Sequence, residues 1–248
     1  MLSAPEVVAA SRAFVCVRPQ TYESEAEAKI LSYVFSGRSG LENTSFALLD
    51  PAGKKISRGG RSATMAFGST ERFTEALEET AARYAPKAKA IEALPTLRDL
   101  RLALNVAAAD MRPLVVVRGK GAAETKRLTA AVAELAWGDE LVGTSHYVVL
   151  VRETEVSGLT PERGISVVQP DPYGLGGEVL FHAPPTTEAK ALAKGLAETV
   201  GAYEVEAREH DAHVREARRR GITWESEIPV TDSRANGEDD ERPRRRRR

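Results

Sequence analysis

Twice along the chain, short apolar runs and amphipathic stretches follow one another in the same order. In the first stretch "FVCV" (residues 14–17) leads into "TYESEAEAKILSYVF". Then "SFALLD" and "KISRGGRS" flank a tight turn, and "STERFTEALEETAARYA" follows. In the second, "RPLVVVRGKG" leads into "AAETKRLTAAVAELAW" and "SHYVVLVRE". "GISVVQPDPYG" and "GEVLFHA" then meet at a turn, and "TTEAKALAKGLAETVGAY" follows. Short apolar runs bounded by turn residues predict strands, and longer runs with apolar residues three and four apart predict helices. The first stretch reads β-α-β-β-α and the second β-α-β-β-β-α, the same order with the opening strand and helix present, which predicts an α/β fold, a mixed sheet flanked by helices. The run at 14–17 is apolar at every position, so it is expected to be a strand buried on both faces.

Local chemistry supports these elements. Ser24 is placed to cap a helix whose apolar face is Ala28, Ile30, Leu31, Val34 and Phe35, with Glu23, Glu25 and Glu27 at its positive end. Ser69 or Thr70 starts a helix with Phe73, Leu77, Ala81 and Tyr84 on one side. "LLDPAGKK" predicts a tight antiparallel hairpin, with Gly53 free to adopt positive φ. Pro86 and Pro95 bracket a connector that runs into the helical "LRDLRLALNVAAADM".

Composition excludes several classes. The formal net charge of −1 gives no global field for nucleic acid or an anionic membrane. The 248 residues contain one cysteine, Cys16, so no intrachain disulfide, CxxC zinc site or dithiol can form within them. No stretch approaches the roughly 18 consecutive apolar residues of a membrane span. The N-terminus lacks the pattern of a signal peptide, and the expected location is cytoplasmic.

"LSAPEVVAASRAFVCVRPQTYE", "NTSFALLDPAGKKISRGGRS" and "STERFTEALEETAARY" together resemble the later part of a thioredoxin-like domain, over residues 2–85. Residues 112–202 resemble the same fold more weakly, through "PLVVV" with its following helix and "GISVVQPDPYG…GEVLF". The resemblance implies two thioredoxin-like α/β units. The first lacks the opening strand and CxxC helix, either because the true start lies upstream or because the second half completes the sheet. The family's cis-proline position falls at Thr44 in the first half and near Arg163–Gly164 in the second. The turn that holds the dithiol reads "RGKGAAE", Arg118 to Glu124, without a thiol. Exchange needs an attacking and a resolving thiol, so the fold carries over and the activity does not.

The organisation expected is a partial thioredoxin-like domain at 1–85, a helical linker at 86–111, and a second such domain at 112–202. A charged helix and extended segment cover 203–232, where Trp224, Ile222 and Ile228 could pin the chain to the body. A disordered charged tail covers 233–248.

The function expected is a non-catalytic protein-interaction or assembly module with a protein partner and no cofactor. Its groove would be bordered by Asn43 and Thr44, with Arg38, Arg58 and Arg61 as a basic rim for an anionic partner. One alternative is thiol oxidoreductase or peroxidase chemistry, using Cys16 or a CxxC encoded upstream. Against this, Cys16 stands in the strand expected to be buried, as free cysteines commonly are. A second alternative is metal binding by His210 and His213, which lie three apart on one helix. A catalytic zinc takes three protein ligands, so His146 or His182 would have to join them. The "PRRRRR" tail offers weak electrostatic binding, with "EDDE" beside it as a competitor.

Overall fold

The computed structural model describes residues 1–17, 19, 21–34, 46–57, 60–84, 93–138, 140–205 and 208–230. The chain divides into two compact units. One combines Met1–Lys89 with Trp224–Arg248, and the other is Ala90–Thr223. No helix among the described residues is long and apolar enough to cross a membrane.

The described part of the first unit's N-terminal stretch contains helices α1 (Pro5–Ser11), α2 (Glu25–Val34), α3 (Ala63–Phe67) and α4 (Thr70–Arg83). The Ser62 and Ser69 hydroxyls accept the Met65 and Arg72 N–H groups and so start α3 and α4. Val7, Leu48, Ala63, Phe73 and Leu77 form the core. Phe46 meets Phe73 edge-on with centroids 5.3 Å apart, and Phe67 lies 4.8 Å from Phe73.

The hairpin turn forms as expected. Gly53 has φ +78°, and Asp50 Oδ1 accepts the Ala52 and Lys54 N–H groups at 2.9 and 2.8 Å. The flanking strands do not develop. Among the described residues, the isolated antiparallel bridges Phe46–Gly60 and Leu49–Lys55 join them. Three steps separate Phe46 from Leu49, but five separate Lys55 from Gly60, so the two arms cannot stay in register. Ser57 fills one gap, its hydroxyl accepting the Leu48 N–H at 2.7 Å.

The strand expected at residues 14–17 is corrected. The run is irregular, and Val15 and Val17 are 76% and 74% exposed. Phe14 alone packs against the core, because the unit builds that core from helices and the phenylalanine cluster. Cys16 is therefore exposed, not buried.

The second unit holds a five-stranded sheet. Its elements are β1 (Thr96–Leu97), α5 (Leu100–Ala109), β2 (Leu114–Arg118), α6 (Ala122–Ala136), β3 (His146–Leu150), β4 (Gly164–Pro170), β5 (Gly177–Ala183), α7 (Ala189–Gly201) and α8 (His210–Arg219). The spatial order is β1-β3-β2-β4-β5. β1, β3 and β2 run parallel, while β4 is antiparallel to both β2 and β5. The sheet is mixed, as expected.

The central strands are buried on both faces, which their near-continuous valine content requires. On one face Val115, Val117, Ile165 and Val167 meet Leu128 and Val132 of α6 and Leu192 and Leu196 of α7. On the other, Leu114, Val116, Val148 and Val168 meet Leu100, Ala103, Leu104 and Ala107 of α5. Within the segment expected to be a helical linker, Leu100–Ala109 is thus a layer of this unit. Seven of the ten residues of α5 are buried, and a helix that apolar must be covered. Asp99 starts it, accepting the Leu102 N–H at 2.9 Å.

Candidate functional site

Parallel strands that feed helices present their loops beyond the strands' carboxyl ends, where ligands commonly bind. β2 is the central strand here, flanked by β3 and β4. At its end Arg118 leads through Gly119–Gly121 into α6. The N-cap position is Gly121, which has no side chain to cap with.

Two arginine–carboxylate pairs and a His–Glu contact gather around this point. Arg163 grips Glu124 in two-point fashion, Nη2 to Oε1 at 2.5 Å and Nε to Oε2 at 2.6 Å. The Lys120 N–H also donates to Glu124 Oε2, at 2.6 Å. The Arg163 guanidinium, and after it the Lys120 amide, hold the Glu124 carboxyl down at about 2. Arg118 donates to the Pro161 carbonyl and to Glu153 Oε2, both at 2.7 Å. His182 Nε2 lies 3.7 Å from Glu162 Oε2, and His182 Nδ1 lies 3.0 Å from Ser166 Oγ. Arg118 and Arg163 therefore fasten the 151–163 connection at both ends.

Sheet geometry forces this arrangement. Arg118 pairs with Gly164 across the β2–β4 ladder, which sets Arg163 beside the first turn of α6. Gly164 has φ +139°, and a Cβ there would stand 2.2 Å from the Ala183 carbonyl oxygen, so only glycine fits. Chemically, the site offers two carboxylates, Glu124 and Glu153, already matched by guanidinium groups. Its hydroxyl, Ser166, is only 1% exposed. Such a surface suits recognition by charge and hydrogen bonding.

The residues singled out from sequence are scattered. Cys16 and Arg61 belong to the first unit, and both are exposed. Asn43, Thr44, Arg38 and Arg58 lie outside the described residues, as does the 233–248 tail. His210 and His213 are on α8. The His213 ring stacks on Tyr173, with centroids 4.4 Å apart. His146 is paired with Asp110 at 2.9 Å, and His182 is paired as described above. Among the described residues no group of three or more His, Cys, Asp or Glu side chains is placed to hold a metal ion.

Sequence reasoning reached Arg118–Glu124 and Arg163–Gly164 as positions, but not the Glu124–Arg163 bond. An acid in the first turn of α6 was the available signal. The Tyr173–His213 stack left no local pattern to read, whereas Trp224, expected to pin the chain, donates its indole N–H to Glu23 Oε1 at 2.6 Å.

The fold and site define a mixed α/β protein with a helix-flanked five-stranded sheet. No protein-family model, curated protein or solved structure matches the chain.

Proposed function

We propose that the chain is a non-catalytic thioredoxin-like protein that acts as a protein-interaction or assembly module. The observation that carries this reading is the Glu124–Arg163 pair. The resemblance puts a dithiol at the start of the helix after the central strand, faced by the residue before the hairpin strand. The resemblance maps those positions onto Arg118–Glu124 and near Arg163–Gly164, the two segments that the Glu124–Arg163 pair joins. An ion pair there can hold two segments together and meet a polar partner, whereas thiol exchange needs sulfur at both roles. The order β1-α5-β2-α6-β3-β4-β5-α7, with a hairpin and a closing helix, supports the same reading.

The test is a photo-crosslinker placed at Lys120, beside the pair, and in a second preparation at Lys190 on α7, both exposed in the full chain. The expected result is a discrete protein adduct at Lys120, absent at Lys190 and lost with Arg163→Ala. Equal labelling from both positions would defeat the reading. So would disulfide reduction by the purified protein.

A second reading is favoured by the exposure of Cys16, which puts single-thiol chemistry at that residue. Peroxide consumption by the wild type that Cys16→Ser abolishes would put this reading first.

A further inference from the structure

Trp224 begins a stretch that returns the chain to the first unit after the whole of the second has been built. Residues 224–230, "WESEIPV", form no helix or strand. They nonetheless lie in a regular way. Trp224, Ser226, Ile228 and Val230 are half-buried, while Glu225, Glu227 and Pro229 are exposed. That alternation is how an extended peptide lies on a surface, one side chain inward and the next outward.

Hydrogen bonds fix the stretch beside the start of α2. The Trp224 indole N–H donates to Glu23 Oε1 at 2.6 Å, and the Ile228 N–H donates to the Tyr22 carbonyl at 3.1 Å. Within the stretch, the Ser226 hydroxyl donates to the Ile228 carbonyl at 2.9 Å and sets its bend. One contact reads a side chain, and the other reads only backbone, which is the division of labour in strand-type peptide recognition.

Glu23 argues for recognition over simple packing. It is 8% exposed, and Tyr22 beside it is also buried. An apolar side chain would seat a structural strap without the desolvation that a buried carboxylate costs. A buried acceptor instead discriminates. An occupant that brings an N–H donor satisfies it, and one that lacks the donor leaves that oxygen without this bond. The occupant itself has the character of a ligand, since none of its seven residues is buried.

We propose that the Tyr22–Glu23 surface is a recognition site for an extended peptide, filled in cis by Trp224–Val230. Its ligand in trans is a protein segment of the same chemistry. That segment has a tryptophan that meets Glu23, an aliphatic residue four positions later whose N–H meets the Tyr22 carbonyl, and outward-facing acids between them. The chain's own segment regulates the site by occupying it. This inference concerns the first unit and stands independently of the thioredoxin-like reading of the second.

The experiment uses the full chain and a fluorescein-labelled peptide of residues 223–231, "TWESEIPVT", followed by fluorescence polarisation. Trp224→Ala loosens the cis segment, so this variant is expected to bind the peptide about tenfold or more tighter than the wild type. A Trp→Phe peptide keeps a ring but loses the N–H, and it is expected to bind the variant about tenfold more weakly. That change is in the ligand and cannot unfold the protein. A Trp224→Ala chain that keeps its helical circular dichroism but binds no better than the wild type overturns the proposal. Equal affinity for the Trp and Phe peptides does the same. Should Trp224→Ala not fold, hydrogen exchange in the wild type decides. Excess peptide is expected to speed exchange at residues 224–230, and unchanged exchange there rejects the site.

Discussion

His213 lies flat on Tyr173, with the ring centroids 4.4 Å apart and the planes 9° from parallel, and the Arg220 guanidinium stands 4.9 Å from the centre of the tyrosine ring. These contacts hold α8, which has no buried residue of its own. Tyr173 is fixed in turn by the β4–β5 turn. Asp171 accepts the Tyr173 and Gly176 N–H groups, and Asn105 of α5 donates to the Tyr173 carbonyl. Tyr173→Ala is therefore expected to release α8 while the sheet stays folded. Loss of a stacked pair costs about 1 kcal/mol, so the global change is small. Hydrogen exchange should show lost protection over 210–219 and unchanged protection in β2 and β4. Retained protection in α8 would mean that other contacts dock it.

Glu124 carries a pH signature. Its carboxyl is held at about 2 against an ordinary 4.5, first by Arg163 and then by the Lys120 amide. A carboxylate depressed on folding contributes stability that is fully present above the ordinary value and lost as pH falls through the folded one. The contribution is therefore complete at pH 5 and fades towards about 2. Glu124 is half-buried, and the direct readout of the pair is the titration itself. Carboxyl NMR of the wild type should find Glu124 still ionised at pH 3, and Arg163→Ala should return its midpoint towards 4.5. A wild-type midpoint near 4.5 would mean that the pair does not persist in solution.

What could be read from the sequence was what short-range chemistry decides. Asp50 and Gly53 fix a turn within a few residues, and Ser24 and Ser69 each cap a helix three residues on. Leu114–Val117 is apolar throughout and did become a central strand. "FVCV" reads the same but is no strand, because a short apolar run is ambiguous until a partner strand exists. "LRLALNVAAA" was expected to be a helix of a linker, and it is a helix, but seven of its ten residues are buried and it packs on a sheet face, a contact that no local pattern signals. The Glu124–Arg163 bond joins residues 39 positions apart, and only the β2–β4 register brings them together.

Gly164 is the most constrained position at the candidate site. Its φ of +139° is closed to other residues, and a Cβ would meet the Ala183 carbonyl oxygen at 2.2 Å and His182 Cε1 at 2.9 Å. Gly164→Ala should cost roughly 1–3 kcal/mol in backbone strain, with the displacement of β5 added to it. Urea unfolding would show a lower midpoint at unchanged slope. Because β5 must shift, the Ser166–His182 contact should also be lost, visible as a changed His182 ring signal. A stability equal to wild type would mean that β4 and β5 separate more easily than their ladder implies.

Cys16 offers the sharpest contrast between a sequence expectation and the structure. The apolar neighbours Val15 and Val17 suggested a buried thiol, yet both valines point to solvent. The Cys16 Sγ lies 3.9 Å from the Ser11 carbonyl oxygen, too weak a contact to shield it. A maleimide should therefore label Cys16 fully in the native protein, at a rate close to that of an unfolded cysteine peptide, and denaturant should add little. Blocking the thiol should leave the thermal midpoint unchanged, because no core contact is lost. Labelling that appears only in denaturant would mean that residues 14–17 are buried in solution. A native rate well above the peptide's would mark an activated thiolate and move single-thiol chemistry ahead of the interaction role.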